Sequence, residues 1–117
     1  MVLLVDDDAD LVEMFGILFT RYGIPHHGAH SLAEVQALGD RLATVTTAIL
    51  DVNLGTAQPS GVDVATWLRE RYAMRIVFIT GHAPDHPLVQ AASGDHGEVL
   101  EKPVPTKRLL EIARGSS

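Results

Sequence analysis

Four short runs in this chain, each with apolar residues at its centre, end in groups able to do chemistry. MVLLV is followed by Asp6, Asp7 and Asp8, and TTAIL by Asp51 with Asn53 just beyond it. RIVFI is followed by Thr80 and the small Gly81, and EVLE by Lys102 and Pro103. Neighbouring carboxylates repel by about 1 kcal/mol even when well solvated, so the acids need something to offset them. A hard divalent cation, Mg2+ or Mn2+, does so, because it takes carboxylate and water oxygens as ligands. Such an ion can hold a phosphoryl group, with the remaining charge matched by Lys102 and a hydrogen bond from Thr80. An aspartate carboxylate is a competent nucleophile toward phosphorus and gives an aspartyl phosphate. Phosphoryl transfer asks a protein mainly for positioning and charge neutralisation, which these residue types supply.

For that to work the groups must converge, and the pattern of the chain says where. Short apolar runs alternate with amphipathic stretches. The spacing predicts strands over 2–6, 46–51, 75–80 and 98–101, with a weaker one over 25–30. Helices are expected over 9–22 behind an Asp8 cap, from a Ser31-Glu34 capping box to about Gly39, and over 61–72 behind Ser60. A short helix around 88–92, between breaks at Pro84 and Pro87, and a last one over 105–113 complete a βαβαβαβαβα order. Strands apolar throughout imply a parallel sheet with helices on both faces. In such sheets ligands bind beyond the carboxyl ends of the strands, where Asp6, Asp7, Asp51, Thr80 and Lys102 would meet. Helix capping accounts for Asp8 and Asp10, but it does not predict a further acid at the end of another strand.

The motifs VLLVDDD, AILDVNL, VFITGHA and VLEKP, in this order, resemble a response-regulator receiver domain. The resemblance covers essentially the whole chain, read as a single domain over 1–117. It implies a flavodoxin-like (βα)5 fold with strand order 2-1-3-4-5. It also implies Asp51 as phosphoacceptor in a two-component pathway or phosphorelay. Asp7 and Asp51, the backbone carbonyl of Asn53, and Asp6 acting mostly through ordered water would surround the metal. Thr80 would contact the phosphoryl group and shift when it arrives, Lys102 would pair with its charge, and the Lys102–Pro103 bond would be cis. Asn53 and His82, beside the small Gly81, match positions that tune how fast the phosphate is lost. The donor would be a phosphohistidine on a sensor histidine kinase or a histidine phosphotransfer protein. The domain would catalyse its own phosphorylation and dephosphorylation without being a turnover enzyme. TGHA and the DVNL loop are similar to receivers fused to hybrid histidine kinases.

Two departures from the family pattern stand out. Val99 occupies the position, three residues before the lysine, where the family usually has Phe or Tyr whose rotamer couples to the threonine. The loop NLGTAQPSG is longer than the common form and has Gly55 where Pro is usual. These departures keep a second reading in play, a receiver-like interaction module that takes no phosphate. Haloacid-dehalogenase-like phosphatases also form an aspartyl phosphate. They need an acidic pair after their lysine, however, and only Glu111 follows Lys102 here.

The 117 residues are 46% hydrophobic and 21% charged, an ordinary globular composition. Without cysteine there is neither a disulfide framework nor a thiolate metal site. A net charge of −6 and the absence of a basic stripe disfavour direct nucleic-acid or anionic-membrane binding. The opening apolar run is too short for a signal peptide or membrane span, and a cytoplasmic location is expected. His26, His27 and His30 suggest zinc, but strand alternation sends His27 away from the other two, so surface histidines are expected. On the first helix Leu11, Val12, Phe15, Leu18, Phe19 and Tyr22 share one face, with Met14 at its edge. Ile17 falls among polar positions, and Met14 and Ile17 are the candidate partner contacts. Oligomeric state is not legible.

Overall fold

The computed structural model describes residues 1–52, 59–81, 98–102 and 104–114. Five parallel strands form one sheet: β1 (Val2–Val5), β2 (His26–Ala29), β3 (Thr47–Asp51), β4 (Arg75–Thr80) and β5 (Glu98–Glu101). Their order is β2-β1-β3-β4-β5, as the resemblance implied. Among the described residues four α-helices accompany them: α1 (Ala9–Arg21), α2 (Leu32–Ala37), α3 (Gly61–Arg69) and α4 (Thr106–Ala113). The stretch expected to be helical around 88–92 lies outside the described residues.

Successive strand residues point to opposite faces, and here both faces are covered. Leu3, Val5, Ala48, Leu50 and Phe78 pack with Val35 of α2 and Val64 and Leu68 of α3. Val2, Leu4, Ile49, Val77 and Ile79 pack with Val12 and Phe19 of α1 and Leu109 and Ile112 of α4. This double burial is why the central strands read as unbroken apolar runs, and each fully buried Leu, Ile or Phe contributes about 1.5–3 kcal/mol. β5 is different. It is an edge strand with Glu98 and Glu101 exposed, charges that discourage pairing with another chain.

The helix boundaries follow local chemistry. The Asp8 carboxylate accepts from the amides of Asp10 and Leu11 at 3.0 and 3.2 Å, and Gly23 ends the first helical segment with φ +67°. Only glycine adopts that conformation without strain. The Ser31 hydroxyl accepts from the Glu34 amide, but the Glu34 carboxylate meets His30 Nδ1 at 2.9 Å instead of closing the expected capping box. α2 ends close to the expected Gly39, where the chain takes φ +56° and passes into a 3-10 turn over Gly39–Thr44. The reciprocal box forms at Ser60–Asp63 instead. α3 stops at Arg69, short of the expected 72, and Tyr72 packs its ring near Trp67. Tyr22 also departs from expectation. It is 49% exposed at the end of α1, beneath the guanidinium of Arg114, because the helix face turns away from the core there.

Candidate functional site at the carboxyl edge of the sheet

The parallel register brings the strand ends together. Val5 is level with Leu50 across β1 and β3, Asp51 with Ile79 across β3 and β4, and Thr80 with Glu101 across β4 and β5. The residue after each strand therefore emerges at one edge. Asp6, Asp7 and Asp51 each offer a carboxylate oxygen, and these atoms lie within 4.8 Å of one another. Asp6 is fully buried, Asp51 is 6% exposed and Thr80 is 1% exposed, whereas Asp7 faces solvent.

Buried carboxylates require partners. Among the described residues, Asp6 Oδ1 accepts from the Asp8 amide at 3.0 Å, and Asp6 Oδ2 from Lys102 Nζ at 3.1 Å. The same ammonium lies 3.4 Å from Asp51 Oδ2. Lys102 is held there by its own backbone, whose amide donates to the Thr80 carbonyl at 2.7 Å. Burial acts to lower the Lys102 pKa, but the charges of Asp51 and Asp6 and hydrogen bonds to both outweigh it. The ammonium is held above its ordinary value and stays protonated at neutral pH. Burial raises the Asp7 pKa above the usual carboxylate range. Hydrogen bonding to Asp6 and repulsion from its charge act in the same direction, against a backbone hydrogen bond and Lys102. Among the described residues the site is thus short of positive charge. Three hard oxygen donors with one ammonium for two of them match the donor set that Mg2+ prefers.

Gly81 sits exposed just past β4. Val99 is half-buried beside Phe78 and packs on the core cluster facing α2 and α3. Asn53, His82 and Pro103 lie outside the described residues. Met14 and Ile17 are 57% and 61% exposed. A groove of about 480 Å³ runs beside the site between α1 and α4. Its walls include Leu11, Met14, Phe15, Ile79, Val104 and Lys102. A second hollow continues it along Ile17, Leu18 and Arg21. His26, His27 and His30 form no metal-holding group. The His26 ring lies tilted against Phe19 and its Nδ1 bonds the Ile24 carbonyl, while His30 pairs with Glu34. Among the described residues, Asp6, Asp7 and Asp51 are the one acidic or histidine group close enough to hold a metal.

Gly61 also belongs to the site, although little in the sequence marks it. Its amide donates to the Val52 carbonyl at 2.9 Å, and its Cα lies against the Asp51 backbone. A glycine directly after the capping serine, where most residues would serve the helix better, was the available signal.

A parallel sheet in this order, with acids at the ends of β1 and β3 and a lysine after β5, defines a receiver fold. The chain belongs to the response regulator receiver domain family, whose profile matches residues 2–114. It is thus a receiver domain of two-component signalling, a family phosphorylated by histidine kinases or phosphotransfer proteins that binds Mg2+ at an acidic pocket. The C4-dicarboxylate transport transcriptional regulatory protein DctR of Rhodobacter capsulatus is 34% identical over 118 residues. That match covers 96% of this chain but only 57% of DctR, so the chain spans little more than half of that relative.

Solved structures show the same fold at lower identity. The receiver domain of NtrX from Brucella abortus superposes with a TM-score of 0.79 at 21% identity, over 98% of this chain and 96% of that one. A CheY-like receiver from Methanospirillum hungatei gives 0.76 at 20% identity, over 97% and 90%. A Burkholderia pseudomallei response regulator, with a phosphorylated aspartic acid and a calcium ion, gives 0.77 at 23% identity, over 94% and 64%. No helix among the described residues is long and apolar enough to cross a membrane.

Proposed function

We propose that Asp51 accepts a phosphoryl group from a phosphohistidine of a sensor histidine kinase or histidine phosphotransfer protein, and that the domain then signals through protein contacts. The observation carrying this reading is the placement of Asp51 within 4.8 Å of Asp6 and Asp7 and 3.4 Å from the Lys102 ammonium. A carboxylate oxygen of Asp51 attacks phosphorus, an O–P bond forms, and the N–P bond of the donor breaks with its electron pair returning to the imidazole. Lys102, already between Asp6 and Asp51, stands ready to neutralise the anionic oxygens, and the Thr80 hydroxyl donates to one of them. Asp6, Asp7, Asp51 and the Asn53 backbone carbonyl would hold Mg2+ or Mn2+, which supplies positive charge to the transferring group when bound. The phosphorylated aspartic acid and calcium ion of the Burkholderia pseudomallei regulator support this assignment by likeness.

Asn53, Gly81 and His82 are assigned to tuning the lifetime of the phosphate, and Thr80 with Val99 to relaying its presence. Val99 packs half-buried against the core and has no aromatic ring to swing, so the relay runs through Thr80 and the Lys102 backbone bonded to it. Met14 and Ile17, exposed beside the groove that Lys102 borders, are assigned to donor contact. A cytoplasmic location goes with a kinase donor.

Intact mass after incubation with acetyl phosphate, with and without Mg2+, tests the reading. A single phosphoryl adduct that needs Mg2+ and is lost in Asp51→Asn is expected. No adduct, under conditions that modify another receiver, would favour an interaction module that takes no phosphate.

A further inference from the structure

We propose that Gly61 is a positioning residue for the phosphoacceptor: its missing side chain lets the first turn of α3 seat on the Asp51 main chain and fixes the direction in which the carboxylate leaves the sheet. The inference rests on the assignment of Asp51 above. A Cβ at Gly61 would collide with the Asp51 carbonyl oxygen and lie 2.8 Å from its carbonyl carbon and 3.1 Å from Val52 Cα. These are backbone atoms of a central buried strand, which cannot swing aside as a side chain can. The left-handed backbone conformation that demands glycine occurs at Gly23 and Gly39, not at Gly61. At Gly61 it is the contact that requires glycine.

Hydrogen bonds hold the junction from both sides. The Val52 amide donates to the Ile79 carbonyl at 3.0 Å, and the Val52 carbonyl accepts from the Gly61 amide at 2.9 Å. Nor can α3 retreat to make room. Val64, Ala65 and Leu68 are fully buried in the core, and the Ser60–Asp63 capping box holds the first turn. An added methyl is therefore absorbed where Asp51 joins Val52. It turns the acceptor carboxylate away from Lys102 and from the oxygens of Asp6 and Asp7.

The test compares Gly61→Ala with Ser60→Ala, which weakens the same helix end without touching Asp51. Gly61→Ala is expected to take phosphate from acetyl phosphate roughly tenfold to a hundredfold more slowly, the penalty of a displaced reacting group, and to bind Mg2+ more weakly by calorimetry. Ser60→Ala is expected to lower Tm with both readouts unchanged. Wild-type rate and Mg2+ affinity in Gly61→Ala would overturn the proposal. If the wild-type domain itself took no phosphate, the assignment of Asp51 would fail, while the Mg2+ titration would still read the role of Gly61. If Gly61→Ala does not fold, amide exchange in the wild-type domain decides. Mg2+ with beryllofluoride should slow exchange of the Val52 and Gly61 amides severalfold, and unchanged exchange would overturn the proposal.

Discussion

The backbone amide of Lys102 donates to the carbonyl of Thr80 at 2.7 Å, continuing the β4–β5 ladder one step past the pairing of Thr80 with Glu101. The bond sets where the lysine leaves the edge strand. Its ammonium consequently reaches Asp6 at 3.1 Å and Asp51 at 3.4 Å, joining groups from opposite ends of the chain.

Lys102→Met should therefore destabilise the metal-free domain, because Asp6 is fully buried and would lose its countercharge. Breaking a buried pair costs roughly 3–5 kcal/mol. With the lysine 30% exposed, the loss is expected at or below the lower end of that range. Urea unfolding without divalent cation measures it. A loss under about 1 kcal/mol would put the pair in the class of surface ion pairs.

Asp7→Asn should raise the Tm of the metal-free domain at pH 7. The folded state raises the Asp7 pKa, so it favours the protonated acid. That contribution to stability is fully present below the ordinary carboxylate pKa and is lost as pH rises through the raised value. The gain on substitution should accordingly vanish in acid. The raised pKa of Lys102 leaves its contribution intact at neutral pH, lost only in strong alkali. Thermal melts from acid to pH 8 check the sign. Mg2+ at a hundred times its Kd should add about 2.7 kcal/mol to the wild type and much less to the variant.

Ile17→Asp and Met14→Asp should slow phosphotransfer from a kinase or phosphotransfer protein by about tenfold or more, the usual cost of losing an apolar anchor. Both side chains are more than half exposed. The rate with acetyl phosphate and the Tm should hardly change. Equal losses with both donors would remove these residues from the docking surface.

Glu98→Gln should cost no more than about 1 kcal/mol, although Glu98 meets Arg75 at 2.6 Å and Arg108 at 3.8 Å. Exposed ion pairs are screened and lose side-chain entropy. A larger loss in urea unfolding would mean that the cluster pins β5 and, through it, Lys102.

Much of this domain was legible from its sequence because the signals are local. Apolar runs mark strands buried on both faces, Asp8 and Ser60 mark helix starts, and an acid, hydroxyl or lysine after each run marks the edge where chemistry is done. β4 falls on the expected residues, and α1 departs from expectation by a single residue at its end. Local signals failed where another group stood nearer, four residues away at Glu34 and at the far end of the chain at Tyr22. Glu34 turned to His30 and left its capping box half-made, and Tyr22, at the end of α1, lies half-exposed beneath Arg114.

The elements and the residue types at their ends are local properties of the sequence, because both depend on periodicity and neighbours a few residues away. The other features of the site arise from long-range packing. Asp6 is buried and Asp7 open, one ammonium serves Asp6 and Asp51, and Gly61 stands with no space for a methyl against Asp51. Those relations join residues far apart in the chain. Their distances follow from sheet register and helix packing, which no local pattern encodes.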